Sequence, residues 1–266
     1  MRLPQIPAAM TALALAVGLP AATMRPAAAQ DAVVRIEQGQ FKAGAGRITF
    51  AEVPIGAQNP TYPPSLYGGG PGSPTVRFGG FFRGQRLGTP AECPRGAVLT
   101  GCVMGSAASP LVIDPASPGT SVQMNGSAAG ALSAGLAGSP RWNGPIAIWF
   151  DRDVAAVGLD GGFFDAPQST AITVFDRQGR VLGRTANRGT GFEFLGLATR
   201  DLSPRIAGLE FHLVGAEPAG FGVDNIRFGA PEQVDLPGVR PPAPPPPPTP
   251  APPPPPPPPR RAPILP

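Results

Sequence analysis

The chain has 266 residues. Its two ends differ sharply in composition from the middle, which leaves about 200 residues to fold, a usual length for one all-β domain. The net charge of +4 belongs to the ends: from Asp31 to Glu232 there are 16 basic and 16 acidic residues. The middle therefore has no net field to draw in nucleic acid or an anionic membrane, and those partners are set aside.

Residues 1–29, MRLPQIPAAMTALALAVGLPAATMRPAAA, read as a signal peptide. Arg2 supplies the positive start, Ala8 to Leu19 an apolar run too short to span a bilayer, and Ala27-Ala28-Ala29 the small-residue cleavage pattern. The expected mature chain is exported, periplasmic or extracellular, and has no membrane span. Residues 30–232 are then expected to form an all-β domain, and residues 233–266 a proline-rich tail.

Short β-rich segments recur through the middle, separated by Gly, Pro, Asn and Asp. They are Arg47–Val53, Thr75–Phe82, Val98–Met104, Leu111–Asp114, Ser121–Met124, Pro145–Phe150, Val154–Leu159, Thr170–Phe175, Phe192–Leu197, Arg205–Val214 and Gly222–Phe228. Several alternate with a period of two: Ile146, Ile148 and Phe150 against Ala147 and Trp149, and Leu209, Phe211 and Leu213 against Glu210 and His212. That rhythm buries one face of an antiparallel strand. Eleven such segments suggest a sandwich or barrel. Asp176-Arg177-Gln178-Gly179 suits a hairpin turn with glycine in the left-handed position. Gly126 to Gly138 reads instead as a short poor helix or a small-residue loop. Residues 54–74 hold Tyr62 and Tyr67 among prolines and glycines and read as an ordered loop.

Cys93 and Cys102 are the only cysteines. In an oxidising compartment they are expected to pair. His212 is the only histidine, so a zinc site lacks ligands, and a nucleophile triad would depend on one strand residue. No Gly-x-Ser-x-Gly elbow and no phosphate-binding loop occurs. Asp151 with Asp153, and Asp160 with Asp165, are the carboxylate pairs that glycoside hydrolysis would need, but they read as turn residues. The chain is therefore expected not to be an enzyme. A sugar-binding face needs exposed aromatic rings beside amides or carboxylates. Trp142, Asn143, Tyr62 and Tyr67 are the candidates, with Phe163, Phe164 and Trp149 behind them.

From Pro241 to Pro259, sixteen of nineteen residues are proline. Such a run cannot enter a sheet and prefers polyproline II. Its expected roles are a spacer, a docking strip for an unknown protein partner, or a passive tail.

Two stretches carry a resemblance. Pro145 to Gly183 holds a strand ending in aromatic-Asp and an "fD-x-x-G-x-x-lG" hairpin. Phe192 to Phe228 holds an "f-x-G-l" strand and a closing "f-g-v-D-N-i-x-F" strand. Together they resemble secreted bacterial jelly-roll modules found in PEP-CTERM-type exported proteins, which are similar in shape to carbohydrate-binding and galactose-binding sandwiches. The C-terminal helix and basic end of a PEP-CTERM tail are lacking. The resemblance implies a jelly roll and a non-catalytic module that recognises a glycan or envelope polymer. The alternative is a structural or assembly protein of the envelope. In a jelly roll the first and last strands lie side by side, so the resemblance also implies a calcium site formed by Glu52, Asp224 and Asn225.

Overall fold

The computed structural model describes residues 32–126 and 132–241. The signal-peptide reading of residues 1–29, and the polyproline reading beyond Pro241, fall outside the described residues. The strands, in chain order, are β1 Val33–Ile36, β2 Gly46–Ile48, β3 Thr61–Tyr62, β4 Val76–Gly79, β5 Gln85–Leu87, β6 Val103–Gly105, β7 Thr120–Gly126 and β8 Leu132–Gly138. They continue as β9 Ile146–Val154, β10 Ala156–Phe164, β11 Thr170–Phe175, β12 Val181–Ala186, β13 Gly191–Thr199, β14 Ile206–Leu213 and β15 Gly222–Gly229. Among the described residues no helix is long and apolar enough to cross a membrane.

Two antiparallel sheets face each other. One runs β1-β13-β10-β15-β8-β7, with β2 also on β15; the other runs β12-β11-β14-β9-β4-β3. Eight of these strands form a jelly roll. If β2 and β9 to β15 are numbered one to eight, one sheet carries the order 1-8-3-6 and the other 2-7-4-5. The first and last strands of the roll are adjacent, with Ile48 opposite Ile226 and Arg47 opposite Arg227.

The two-residue rhythm explains the core. Ile146, Ile148 and Phe150 of β9, Leu209, Phe211 and Leu213 of β14, and Leu195 and Leu197 of β13 all point between the sheets and are buried. In β13 the period holds but the face differs from the sequence reading. Leu195 and Leu197 point inward, while Phe192 is on the outside, 39% exposed, with Phe194 half-buried.

A long excursion between β4 and β7 covers the outer face of the second sheet. Phe82 and Leu111 pack on Ala147, Phe175 and Ala207, and β5 pairs with β6 alongside. The indole N–H of Trp149 donates to the Leu111 carbonyl at 2.8 Å. The guanidinium groups of Arg77 and Arg177 lie 5.4 and 5.3 Å from its ring centre. Trp149 is thus fixed under the excursion, where cation–π contacts hold it.

Cys93 and Cys102 form a disulfide within the excursion, in the segment between β5 and β6, with Cα atoms 6.0 Å apart. The Gly88 N–H donates to the Cys102 carbonyl at 2.9 Å. A side chain at Gly88 would meet both sulfurs, at 2.4 and 2.9 Å, so glycine is needed there. Closing this loop stabilises the fold by about 2.7 kcal/mol in the chain-entropy model. The Cys93→Ser, Cys102→Ser double variant should lose about that much in urea unfolding. A change below about 0.5 kcal/mol would mean that the loop is ordered without the bond.

Three sequence readings are corrected. Residues 132–138 form the strand β8, neither helix nor loop. Gly135 lets it lie close to β15, since a Cβ there would meet the Val223 carbonyl oxygen at 3.0 Å. Leu111–Asp114 is no strand and makes a single bridge, Ile113 to Phe82. The packed chain also continues past Glu232, the expected end of the domain. Phe41 bridges Val234, the Asp235 N–H donates to the Gln40 carbonyl at 2.8 Å, and Leu236 and Val239 pack against the buried cluster around Ile36, Phe41 and Leu202. The Asp176–Gly179 turn is as expected, with Gly179 at φ 78°.

Candidate functional site

A groove of about 720 Å³ opens on the outer face of the first sheet. Its floor is polar. Asp160 of β10 and Asp224 of β15 are register partners. The ladder shifts between Gly158 and Asp160, and Asn225 takes a left-handed φ of 43° nearby. Bulges of this kind re-aim side chains out of the regular alternation.

Each floor group has a partner. The Ser133 hydroxyl donates to Asp224 Oδ2 at 3.0 Å, and the Asn225 backbone N–H donates to Oδ1 at 2.7 Å. The Asn225 side chain bonds Asp160, and Arg47 donates to Asn225 Oδ1 at 2.8 Å. Burial raises the pKa of both carboxyls; bonds from Asn225 to Asp160, and from Ser133 and Asn225 to Asp224, oppose the rise. Burial lowers that of Arg227, which lies near Arg47 and Asp160. The result is an interlocked row of hydrogen-bonding groups that a ligand can reach along the groove.

The rim is apolar. Ile55, Met124, Leu132, Phe163 and Phe192 all line the groove. They are five of the seven large hydrophobic residues that stand exposed among the described residues, Leu132 at 75%. Phe163 and Phe192 meet edge to face at 4.8 Å. Phe163 reaches the lip through a left-handed φ of 68° at a register shift in β10. Gly162 leaves room for the Phe192 ring, which a Cβ would meet at 2.4 Å. A concentration of exposed apolar surface around a polar floor marks an interaction site.

Trp142 closes one end. It also has a left-handed φ, 66°, and its ring lies over Gly222, where a Cβ would come within 2.6 Å of it. Its carbonyl accepts from the Phe221 N–H at 2.7 Å. Asn143 lies outside this groove, in a neighbouring cleft that Trp142 shares. The Thr100 hydroxyl donates to its backbone carbonyl at 2.8 Å.

The structure separates the other expected residues. Tyr62 is fully buried among Phe50 and Phe78, so it cannot stack on a ligand. Burial raises the pKa of its hydroxyl. Tyr67 packs its ring on Phe228 at 5.2 Å and donates to the Pro74 carbonyl at 2.5 Å. Burial pushes its hydroxyl up to about 12. Both tyrosines hold the 54–74 segment down. Phe164 is buried against Phe211.

The expected calcium ligands are each engaged by protein groups, and Glu52 lies near enough to Asp224 for its charge to act on that carboxyl. Glu52 accepts from the Thr49 N–H and hydroxyl at 3.0 and 2.7 Å, which closes a local turn. The Asn225 amide oxygen faces Arg47, itself a cation. Among the described residues, no three His, Cys, Asp or Glu side chains are grouped to hold a metal. The carboxylate pairs are tied into structure as well. Asp151 accepts from the Thr75 N–H at 2.7 Å, Asp153 pairs with Arg177, and Asp165 Oδ2 accepts from the Ala219 N–H at 3.2 Å.

No protein-family model and no curated protein matches this sequence. Trp142 and Phe163, expected as sugar-facing rings, and Asp224 and Asn225, expected as calcium ligands, all line this groove. Sequence reading missed Arg47, Phe192, Met124, Leu132 and Ile55 as groove residues. Phe192 alternates with Phe194 as a core residue would, and nothing local marks its face as the outer one.

Proposed function

We propose that the domain is a secreted, non-catalytic binding module that holds a glycan or envelope polymer in the groove of the first sheet. The observation that carries this reading is the meeting of two surfaces in one concavity. Asp160, Asp224, Asn225 and Arg47 offer donors and acceptors suited to hydroxyl groups, while Trp142 and the Phe163–Phe192 pair offer rings on which a sugar face can lie. The groove has the volume of a site for a few sugar units, and its open form suits a chain passing through. The carboxyls of the floor, Asp160 and Asp224, sit side by side on neighbouring strands and share Asn225 as a partner.

A glycan array with the processed protein tests this. Binding is expected to a restricted set of polysaccharides. Trp142→Ala should abolish it, and Asp224→Asn should weaken it by about tenfold, a loss of about 1.4 kcal/mol. If neither substitution changes binding, the groove is not the site.

A second reading follows from the aliphatic part of the rim. Ile55, Met124 and Leu132 are poor partners for sugars and good ones for a protein. On that reading the domain assembles with another envelope protein through the same groove. Array binding to no glycan, together with capture of one partner protein that Leu132→Asp abolishes, would favour it.

A further inference from the structure

The opposite side of the molecule holds a second cavity, of about 550 Å³, between the second sheet and the excursion. The sequence places Glu210 and His212 on the polar, outward face of β14. The excursion roofs that face, and Glu210 is only 1% exposed. Gln85 of β5 donates to its Oε2 at 2.8 Å. Its other oxygen, Oε1, is buried without a hydrogen-bond partner. Two residues along, His212 Nε2 bonds the Thr173 hydroxyl at 3.0 Å, and Nδ1 is likewise buried and unpartnered. Both groups line the one cavity. A buried polar atom without a partner costs about 1–3 kcal/mol. Both atoms sit just behind the cavity wall, closed to water, so a ligand that satisfies them must shift the Glu210 and His212 side chains slightly as it enters.

We propose that this cavity is a binding site for a small carboxylate with an apolar body, held by Glu210 Oε1, His212 Nδ1 and Arg184. The lining decides the ligand's chemistry. Arg180 and Arg184 stand at the mouth, and Glu210 is the only acid in the wall. Arg180 is paired with Asp176 at 2.6 Å, which leaves the exposed Arg184 to meet an incoming anion. Phe175 and Val103 supply buried apolar wall, and Val181 an exposed apolar edge.

The protonation states agree. Burial pushes the Glu210 carboxyl up to about 8, so at neutral pH it is mostly a neutral acid. With Oε2 accepting from Gln85, its O–H is free to donate from Oε1. Burial, then Arg184, hold His212 down to about 4, so the ring is neutral. The bound anion selects the tautomer in which Thr173 donates to Nε2 and Nδ1–H donates to the ligand. The groups facing Glu210 and His212 are Gln85 from β5, Thr173 from β11, and Arg180 and Arg184 from the β11–β12 hairpin. Ionising Glu210 removes a donor and adds a like charge. Affinity therefore falls as the pH rises through about 8.

Isothermal titration of the full processed chain with benzoate, and with neutral benzyl alcohol, tests the site. Saturable benzoate binding at neutral pH is expected, with the alcohol at least about tenfold weaker. Glu210→Gln keeps a donor and should bind; Glu210→Leu should not. Arg184→Met, a surface change that leaves folding intact, should weaken benzoate by about tenfold, and it decides the matter if Glu210→Leu does not fold. Trp142→Ala should bind benzoate normally, which separates this site from the groove. No saturable benzoate binding, equal binding of the alcohol, or undiminished binding by Arg184→Met would overturn the proposal.

Discussion

Phe211→Ala should lower the unfolding free energy by about 3–5 kcal/mol, the usual cost of removing a buried phenylalanine ring. Phe211 lies on β14, between β11 and β9, at the middle of the second sheet. It is fully buried. Its ring meets Phe221 at 5.4 Å and Phe164 at 6.2 Å, and those residues lead into and lie on strands of the first sheet. The side chain therefore fills the space between the layers, where neighbours on two sheets would have to move together to close a void. In urea the midpoint should drop with the slope unchanged, which marks lost stability in place of a looser unfolded chain. A loss under about 1 kcal/mol would mean that the layers collapse onto the gap and that the packing is less rigid than these contacts imply.

Asn187→Ala should cost about 3–5 kcal/mol, from hydrogen bonding and not from volume. Asn187 is fully buried just after β12. Its Nδ2 donates to the carbonyls of Ala166 and Gly189, each at 2.7 Å. Its Oδ1 accepts from the Thr170 N–H at 2.9 Å. Alanine leaves three backbone groups without these bonds, each worth about 1–3 kcal/mol when buried, with some recovered by water. Asn187→Asp is the sharper comparison: at acid pH its neutral carboxyl keeps the acceptor and one donor, so it should fall between alanine and the natural residue. Amide exchange at Thr170 should speed up in the alanine variant and not in the aspartate one. If Thr170 stays equally protected in both, the side chain does not close this corner.

The sheets were legible because alternation is a local property. Ile146, Ile148 and Phe150 declare their inner face whatever lies outside it. The third layer was not. Thr170–Phe175 is buried at all six positions, since one face looks into the core and the other under the excursion, and the sequence offered only one of those reasons. Glu210, on the polar face of its strand by alternation, is buried for the same reason. Strand β8 was hidden by its glycine and alanine content, which suits a close approach to β15 and spoils any hydrophobic rhythm. At the groove, Trp142 and Asp224 stood out by residue type. The aromatic lip did not, because Phe163 arrives there through a bulge and a positive φ, and neither can be seen without the fold.

The placement of the two tryptophans gives the protein a pair of internal optical probes. Trp142 borders the groove; Trp149 lies on the other side of the sandwich, walled in by two guanidinium groups. Emission from the native chain is thus a sum of one chromophore that a groove occupant can shade and one, half-buried, that detachment of the excursion would expose further. With Trp142→Phe, the remaining signal reports on that roof alone; with Trp149→Phe, on the groove alone.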